Sequence, residues 1–440
     1  MREVFQEKIG NALDGAFPDL VEREIALPVV PDSKAHAIIG MRRAGKTYFL
    51  HQCLRQRLAQ GIERDRLIYV NFEDERLAGL QAAEMGGILE EYYRLFPSYR
   101  RSARVTFCFD EVQAVPGWEA FVRRIIDEED VEVLFSGSSA RLLSREVATA
   151  MRGRAMETMV TPYSFREFLT ATGRAPLESG KPVGARRRSE LERAFGDYLA
   201  TGGFPEATGM GLRDRIRLIQ AYVDAVLFRD IVERHGITNV TALRALTRHL
   251  IRNVGTQVSI NKLFNDFRSR GVSVSKQALL EFYSQLEDCF LVRRLQIHSH
   301  SDRRRQANPR KVYLADHSLA SAFQPTPFAD RGHHLENVIA CELLRRFREV
   351  DYVKTRSGYE VDFMARSFEG EAVLIQVAAD VSEPATLERE CRALAEAAKD
   401  HQTASLLLIT ELDDRQLNYA GSQIRVVPAW RWLCAAPVGT

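Results

Sequence analysis

The stretch His36-Ala-Ile-Ile-Gly-Met-Arg-Arg-Ala-Gly-Lys-Thr47 decides the fold of this 440-residue chain. A short apolar run ends at Gly40, and an amphipathic helical pattern, with apolar residues at 49, 50, 53, 54 and 58, begins after Lys46-Thr47. Positions 40–47 match the spacing G-x-x-x-x-G-K-[ST], which is typical of a phosphate-binding loop when a strand enters it and a helix leaves it. The alternative is a glycine-rich turn without a ligand, which this context disfavours.

Stereochemistry explains why such a loop would hold a triphosphate. Glycine lets the backbone wrap around phosphate oxygens where a Cβ atom would clash, and the loop amides and the helix N-terminus supply donors and positive potential. Lys46 places a charge at the β- and γ-phosphates, and Thr47 offers a hydroxyl ligand to Mg²⁺. We therefore expect ATP and Mg²⁺ as cofactors, held by Gly40, Met41, Arg42, Arg43, Ala44, Gly45, Lys46, Thr47 and Tyr48.

The second half of such a site is an apolar strand that ends in an acidic residue. Val105-Thr-Phe-Cys-Phe-Asp110-Glu111 has this pattern. We expect its strand to lie adjacent to the strand that enters the loop, with Asp110 binding Mg²⁺ and Glu111 orienting and deprotonating the attacking water. A solvated strand end without catalytic function is the alternative.

Further side chains are candidates for contact with the γ-phosphate. The apolar run Val131–Phe135 is followed by Ser136-Gly-Ser138-Ser139, so the hydroxyl of Ser138 either senses this phosphate or caps the next helix. Hydrolysis also needs positive charge against the charge that develops on the γ-phosphate. Arg152 and Arg154 are the candidates, acting in cis or in trans from a neighbour, and a structural surface role is the alternative.

The pattern along the chain predicts an α/β fold. Short apolar strands alternate with helical patterns up to Pro162, which indicates a parallel sheet covered on both faces. Three helical patterns and two strand-like runs farther along outline a winged helix. The expected domains are an N-terminal helical extension (1–30), the phosphate-loop core (31–162), a helical lid (163–240), a winged-helix-like domain (241–325) and a C-terminal α/β domain (326–440).

Several short motifs occur in a characteristic order. They are Gly-Met-Arg-Arg-Ala-Gly-Lys-Thr (40–47), Phe-Asp-Glu-Val-Gln (109–113), Ser-Gly-Ser-Ser-Ala-Arg-Leu-Leu-Ser (136–144), Arg-Gly-Arg (152–154), Pro-Tyr-Ser-Phe-Arg-Glu-Phe (162–168) and Gly-Gly-Phe-Pro-Glu (202–206). In these motifs the chain resembles the prokaryotic AAA-type P-loop ATPases that carry a C-terminal domain of unknown function. The resemblance implies a P-loop NTPase sheet with a lid, followed by a winged helix and a PD-(D/E)XK, restriction-endonuclease-like fold. It implies ATP binding and hydrolysis to ADP and phosphate more firmly than any cellular role.

The C-terminal residues match a PD-(D/E)XK nuclease only in part. Such a nuclease places a helix Glu, a strand Asp and a (D/E)-x-Lys around one or two metal ions. Here Glu336 and Asp362 fall at the first two positions, but Gln376 replaces the second acid and Ala378 replaces the lysine. The spacing of Lys354 gives no reason to assign it the missing role. We therefore expect a degenerate, non-cleaving fold used for binding or assembly.

A dense basic segment lies between the two strand-like runs of the expected winged helix. It contains Arg303, Arg304, Arg305, Arg310 and Lys311. Wing arginines can enter a minor groove or hold phosphates, and binding would then depend on salt. The helical pattern 275–288 would be the recognition helix, although its acidic residues oppose a phosphate backbone. A solvated loop, or a cover over the nucleotide site, is the alternative to DNA binding.

Composition limits the partners and the location. The 61 basic and 59 acidic residues nearly cancel, so the chain lacks the global positive field of a nucleic-acid coat protein. The sequence contains no apolar run of membrane-spanning length, the N-terminus lacks the apolar centre of a signal peptide, and the six cysteines lie far apart without zinc-ligand spacing. We expect a cytoplasmic protein without membrane contact, in which an oligomer or a protein partner is compatible with the sequence.

Together these patterns predict an ATP-binding hydrolase of AAA type. Its Mg²⁺-dependent ATP hydrolysis would be coupled to a conformational change of the winged-helix and nuclease-like module. Two alternatives stay open: a nucleotide-dependent switch that binds DNA or a protein partner with little turnover, and an ATP-dependent nuclease.

Overall fold

The computed structural model describes residues 1–137, 151–177, 182–299, 301–307, 309–324 and 330–435. The chain divides into two compact units, Met1–Thr161 and Pro162–Thr440.

The first unit is an α/β unit built on a parallel sheet. Its helices are α1 (Arg2–Asp14), α2 (Lys46–Ala59), α3 (Gly86–Leu95) and α4 (Trp118–Glu128), and its strands are β1 (Ala35–Ile39), β2 (Leu67–Asn71), β3 (Val105–Asp110), β4 (Val131–Ser136) and β5 (Ala155–Met159). The described strands form one sheet in the order β2-β3-β4-β1-β5, and every neighbouring pair is parallel. The predicted α/β class and parallel sheet are confirmed.

The strand order corrects one expectation about the sheet. β4 lies between β1 and β3, so the strand that ends in Asp110 is not adjacent to the strand that enters the glycine loop. Parallel strands nevertheless present their carboxyl ends at one edge of the sheet. All of β1 and β3 is buried, as their unbroken apolar runs predict for strands covered on both faces.

The N-terminal segment packs on the sheet unit through one face of its helix. Phe5, Ile9 and Ala12 are the buried residues of α1, which contacts β2 and α3. The apolar spacing predicts a helix that continues to Phe17 and ends by Pro18. In the structure it ends at Asp14, because Gly15 takes an extended conformation.

The second unit begins with helices. They are α5 (Phe165–Ala171), α6 (Ala185–Thr201) and α7 (Leu212–Ala225), and α7 continues as a π-helical segment (Val226–Val232) and a last turn (Glu233–His235). The sequence predicts that Ser164 caps α5 with Glu167 three residues on, and both bonds of this capping box form.

A group of helices and a small sheet follow in the second unit. The elements are α8 (Val240–Arg252), β6 (Gln257–Val258), α9 (Ile260–Ser269), α10 (Lys276–Asp288), β7 (Val292–Leu295), α11 (Asp302–Ala307), β8 (Arg310–Leu314) and α12 (Ser318–Phe323). β8 is the central strand and pairs antiparallel with both β6 and β7. The segment between β7 and β8 contains α11, so the basic segment is partly helical and not only a loop.

The C-terminal part of this unit is a mixed sheet with helices. It consists of α13 (Arg331–Arg346), β9 (Glu349–Lys354), β10 (Glu360–Arg366), β11 (Ala372–Val377), α14 (Pro384–Asp400), β12 (Ser405–Thr410), β13 (Arg415–Tyr419), β14 (Ser422–Pro428) and α15 (Ala429–Cys434). Its strand order is β13-β14-β12-β11-β10-β9. β9, β10 and β11 form an antiparallel meander, and β11, β12 and β14 are parallel. An apolar cluster that includes Leu374, Leu394 and Leu408 fills the space between α14 and this sheet.

Candidate functional site

The glycine loop joins β1 to α2, and its conformation depends on two glycines. Gly40 has φ = 150°, and a Cβ atom there would lie 2.0 Å from the carbonyl oxygen of Val160, which follows β5. Gly45 has φ = 102° and precedes the first residue of α2. Both positions therefore require glycine. Gly40 is required for its conformation and for lack of space, and Gly45 for its conformation. The loop leaves a concave run of backbone before the helix N-terminus, as a phosphate site needs.

Lys46 lies at the start of α2 with its ammonium group turned back into the loop. The residue is buried, and its Nζ donates hydrogen bonds of 3.1 Å to the carbonyl oxygens of both Gly40 and Met41. The ammonium group is thus held inside the loop by weak neutral acceptors. Phosphate oxygens would be stronger acceptors for the same group, since charge-assisted hydrogen bonds are the stronger kind.

Asp110 is the centre of a polar cluster at the carboxyl edge of the sheet. It is 1% exposed, and its Oδ2 accepts hydrogen bonds of 2.7 Å from the hydroxyl groups of Thr47 and Tyr69. Its Oδ1 accepts from the hydroxyl of Ser136, at the end of β4. Burial and then the charge of Asp110 raise the pKa of Tyr69 above its ordinary value, which keeps this phenol a donor. The predicted pair Thr47 and Asp110 is therefore brought together.

The sequence does not predict Tyr69 or Ser136 as partners of Asp110. Tyr69 lies on β2 and Ser136 is the last residue of β4. A signal for Ser136 is present in the sequence, because it is the first polar side chain after the apolar run 133–135. Tyr69 carries no comparable signal, since tyrosine is common in buried strands.

Glu111 follows β3 in a conformation that is uncommon for a non-glycine residue. Its φ and ψ are 52° and 41°, in the left-handed region. The Glu111 amide donates a 3.3 Å hydrogen bond to Ser136 Oγ, and its carboxylate accepts one from the Gln113 side chain. Strained backbone of this kind is often found at functional sites. The Ser136 hydroxyl thus joins the Glu111 backbone to the Asp110 cluster, and the Gln113 side chain holds the Glu111 carboxylate.

The outer loop residues differ from the core of the site. Met41 and Ala44 are buried and shape the loop, whereas Tyr48 is 53% exposed. Arg42 lies 3.9 Å from Glu73, and Arg43 is exposed with φ = 67°. The expected sensor Ser138 lies outside the described residues.

Arg152 and Arg154 do not lie near the glycine loop. The carbonyl oxygen of Arg154 accepts from the amide of Ala35, the first residue of β1, whereas the loop follows the last. The first and last residues of this strand are about 13 Å apart at the usual rise of a β-strand. The Arg154 side chain forms an ion pair with Asp127. This geometry disfavours a contact of Arg154 in cis with bound phosphate, and the role of Arg152, or of either residue in trans, stays a prediction.

A further residue that the sequence did not single out supports the loop from behind. Arg23 is buried, and its guanidinium group donates to the carbonyl oxygens of Ala44 at 3.0 Å and Thr161 at 2.6 Å. Its backbone exchanges two hydrogen bonds with the side chain of Gln52 on α2, at 2.7 and 3.0 Å. The segment before β1 is thereby fastened to the glycine loop.

A second polar cluster lies within the C-terminal unit. The ammonium group of Lys311, on β8, is 2.9 Å from Asp362, 2.9 Å from Glu360 and 3.1 Å from Glu336. The hydroxyl of Tyr313 also donates to Glu336, at 2.7 Å. The sequence assigned Lys311 to an exposed basic patch, and this assignment is wrong, because the residue is 3% exposed and engaged by carboxylates.

Electrostatics of this cluster follow from its burial. Burial acts to lower the pKa of Lys311, but the surrounding charges, of which Tyr313 and Asp362 contribute most, outweigh it and raise the pKa well above its ordinary value. Burial and then the charge of Asp362 raise the pKa of Glu336 to about 7, against the lowering effect of Lys311. The lysine is therefore charged, and its positive charge stabilises the ionised carboxylates around it.

The residues at the expected positions of a nuclease centre fit such a centre only in part. Glu336 and Asp362 do lie together, as predicted. The Gln376 side chain accepts from the Asp362 amide at 3.3 Å and donates to Glu390 at 2.7 Å, and Ala378 is buried. Within the described residues, no group of three or more His, Cys, Asp and Glu side chains has the arrangement of a metal site.

The other arginines of the basic segment differ in exposure, and Arg310, the first residue of β8, is half-buried. Arg303 and Arg304 are exposed, and Arg305 lies 4.0 Å from Asp351. In the part of the chain that the structure describes, no helix is both long enough and apolar enough to cross a membrane.

Comparison with known proteins supports the P-loop fold described for the first unit. A family model described as an AAA domain matches residues 32–169, and a model described as a domain of unknown function matches residues 192–329. The fold, the loop and this match define a P-loop, nucleotide-binding protein of AAA type. Uncharacterized protein MJ1544 of Methanocaldococcus jannaschii is 31% identical over 441 residues, which cover 98% of this chain and 95% of that protein. The chain therefore belongs to the same family as this archaeal protein.

Further similarities are more distant. An uncharacterized protein of Haemophilus influenzae is 28% identical over 79% of this chain and 82% of its own length. Among solved structures, the Aeropyrum pernix ORC1 protein in complex with DNA is 17% identical, with coverage of 75% of this chain and 92% of that chain and a TM-score of 0.28. The Aeropyrum pernix ORC2 protein is 13% identical, with coverage of 78% and 94% and a TM-score of 0.37. These scores are too low to support a conclusion about this chain.

Proposed function

We propose that the protein is a Mg²⁺-dependent ATPase whose nucleotide state governs a C-terminal module of winged-helix and nuclease-like fold. The observation that carries the proposal is the 2.7 Å hydrogen bond between the Thr47 hydroxyl and Asp110. It joins the first turn of the helix after the glycine loop to the end of β3. These are the two oxygen ligands that P-loop NTPases use for Mg²⁺.

Nucleotide binding follows from the loop itself. Gly40 and Gly45 keep the cradle free of Cβ atoms, and the amides before α2 point their donors and the helix dipole at a bound anion. Lys46 would exchange its two carbonyl acceptors for the β- and γ-phosphate oxygens. The exposed Tyr48 and Arg43 lie at the rim of the loop and would contact the outer part of the nucleotide.

The donor set also fits a hard divalent cation. Thr47 and Asp110 are oxygen ligands, and Mg²⁺ is bound in such sites by one or two protein oxygens together with phosphate oxygens. The chemistry that the ion supplies is neutralisation of charge on the β- and γ-phosphates. Tyr69 and Ser136 keep the Asp110 carboxylate oriented toward Thr47.

Glu111 would orient the attacking water and accept its proton. Gln113 holds the Glu111 carboxylate in place. The Ser136 hydroxyl contacts both Asp110 and the amide of Glu111, so it fixes the distance between the two acids. The expected role of Ser138 as a γ-phosphate sensor remains part of the proposal.

Two observations support the proposed architecture of the second unit. The order α8-β6-α9-α10-β7-β8, with β8 central in the small sheet, is the order of a winged helix. The order α13-β9-β10-β11-α14-β12, with a meander followed by a parallel strand, supports a nuclease-like fold. The exposed Arg303 and Arg304 favour DNA as a partner of this module.

The ATPase proposal is tested by titration and by phosphate release. Mg²⁺-ATP should bind the unaltered chain and fail to bind Lys46→Ala, as measured by calorimetry. Glu111→Gln should keep binding and lose turnover by about a hundredfold or more, because it removes the base and preserves the shape of the side chain. Binding by the unaltered chain with turnover no faster than that of Glu111→Gln would favour the nucleotide switch instead. Equal binding by Lys46→Ala would contradict the proposed site.

A further inference from the structure

The nuclease-like centre of the second unit contains a lysine where a metal-dependent enzyme would hold a cation. Lys311 comes from β8 of the small sheet, and its Nζ lies between the carboxylates of Glu336 on α13 and of Glu360 and Asp362 on β10. An ammonium group has three N–H donors, and the same number of carboxylates surrounds it. The positive charge at this point is therefore supplied by the chain.

The distances are those of an ammonium group with its acceptors. The three N–O distances are 2.9, 2.9 and 3.1 Å, close to those of charge-assisted hydrogen bonds. Carboxylate oxygens bind Mg²⁺ at about 2.0–2.1 Å and Ca²⁺ at about 2.3–2.6 Å. The carboxylates are thus spaced for the ammonium group of Lys311, and they would have to move inward to coordinate a metal ion at the same point.

In two of the three carboxylates, the oxygen that faces away from Lys311 is also engaged. Asp362 Oδ2 accepts from the amide of Val377 at 3.0 Å, and Glu360 Oε2 accepts from the side chain of Gln257 at 2.5 Å. The Tyr313 hydroxyl shares Glu336 Oε1 with Lys311. A divalent ion would have to displace these partners as well as the lysine.

The third strand of the centre offers no replacement ligand. Both ends of the Gln376 amide are bound inside the protein, to the Asp362 amide and to Glu390. Ala378 has no polar atom in its side chain. The residues present therefore do not fit the one or two metal ions that a PD-(D/E)XK nuclease uses.

We propose that the ammonium group of Lys311 permanently occupies the cation position of this centre, which makes it a metal-free ion cluster joining β8 to the C-terminal sheet. Removal of Lys311 would let its three carboxylates draw together around a divalent cation in its place. The small sheet with its basic segment is in this way fixed to the nuclease-like fold through a buried charge.

Electron paramagnetic resonance of Mn²⁺ tests this proposal without reference to any activity. The full chain is used without nucleotide and with Asp110→Asn, which removes the proposed cation site of the first unit. With Lys311 present we expect no Mn²⁺ binding that depends on Asp362. Lys311→Ala should bind one Mn²⁺ per chain, and the double variant with Asp362→Asn should lose it. Lys354→Ala, which removes an exposed lysine of the neighbouring β9, is the matched control and should bind none.

Two results would overturn the proposal. One is Mn²⁺ binding by the chain with Lys311 intact that disappears in Asp362→Asn, because the metal would then displace the lysine. The other is a folded Lys311→Ala variant that binds no Mn²⁺, because the carboxylates would then lack the capacity assigned to them. If Lys311→Ala does not fold, the first result is still decided by comparing Mn²⁺ binding between the chain with Asp362 and the Asp362→Asn variant. Lys311→Met then replaces Lys311→Ala in the test of the second result.

Discussion

The guanidinium group of Arg23 donates a hydrogen bond of 3.0 Å to the carbonyl oxygen of Ala44, inside the glycine loop. The same group binds the carbonyl oxygen of Thr161, so one buried cation fixes two loops at the carboxyl edge of the sheet. Arg23→Ala would leave both carbonyls without this donor. We expect it to lower the free energy of unfolding of the first unit by about 3 kcal/mol and to weaken ATP binding.

Thermal unfolding and ATP titration check this expectation. Arg55→Ala is the matched control, because Arg55 is more exposed and lies 4.0 Å from Glu22. Its removal should cost about 0.5 kcal/mol or less. Equal destabilisation by the two variants would show that the buried contacts of Arg23 do not support the loop.

Ser136 links the two acids of the proposed catalytic centre. Its hydroxyl donates to Asp110 and accepts from the amide of Glu111, so Ser136→Ala removes both constraints at once. We expect kcat for ATP hydrolysis to fall by about tenfold, equivalent to 1.4 kcal/mol in the barrier, with little change in the dissociation constant of ATP. Steady-state phosphate release measures the first quantity and calorimetry the second.

Tyr69→Phe serves as the comparison for Ser136→Ala. This substitution also removes one hydrogen bond to Asp110, but among the described hydrogen bonds Tyr69 makes none to Glu111. Its effect on kcat should therefore be smaller. If both variants reduced kcat equally, the contact of Ser136 with Glu111 would have no catalytic consequence.

Arg303 and Arg304 are the exposed arginines of the basic segment. If they hold DNA phosphates, the double variant Arg303→Ala/Arg304→Ala should weaken DNA binding and lower the slope of log affinity against log salt by about two. Fluorescence anisotropy over a series of salt concentrations measures both. Arg186→Ala/Arg187→Ala on α6 removes the same charge elsewhere, and an identical loss in this control would indicate non-specific attraction.

His334, on α13, gives the second unit a defined dependence on pH. Burial, and next the charge of His317, lower its pKa to about 4, although Asp330 and Asp316 oppose the shift. The folded pKa lies below the unfolded value of about 6.5. The stability that neutral His334 contributes is therefore fully present above the unfolded pKa of about 6.5 and is lost as the pH falls below it. Between pH 7 and pH 5 the contribution of His334 alone should fall by about 2 kcal/mol, whereas Glu336, whose pKa is raised to about 7, changes stability in the opposite direction over this range.

Chemical denaturation at several pH values tests the assignment. His334→Gln cannot gain a proton at this position, so the stability of the unaltered chain relative to this variant should fall by about 2 kcal/mol as the pH falls from 7 to 5. His333→Gln changes the more exposed neighbour, which lies beside Asp330, and should keep the original dependence. A dependence that His334→Gln leaves unchanged would assign it to other groups.

The sequence predicts the local elements well because their signals are local. The glycine spacing of 40–47, the apolar run before Asp110 and the cap at Ser164 each depend on a few adjacent residues. The helical pattern 275–288 matches α10 (Lys276–Asp288) for the same reason. These features account for most of the site at the glycine loop.

The sequence fails where the outcome depends on distant partners. Nothing near Asp110 indicates that β4 inserts beside β1, and only the strand register places Arg154 at the far edge of the sheet. Lys311 is adjacent to Arg310 in a basic segment, yet its charge is matched by Asp362, 51 residues away. Composition predicts exposure for such a lysine, and long-range charge pairing reverses it.

The close approach of position 40 to Val160 affects how substitutions in the loop must be interpreted. An alanine there would meet the carbonyl oxygen of Val160 before it met any ligand, so it would displace the end of β5 together with the cradle. A loss of nucleotide affinity in Gly40→Ala would then reflect disturbed packing between the glycine loop and the residue that follows β5, and would say little about how the loop binds phosphate. Lys46, whose side chain can be shortened without moving the backbone, is the position where recognition and architecture can be separated.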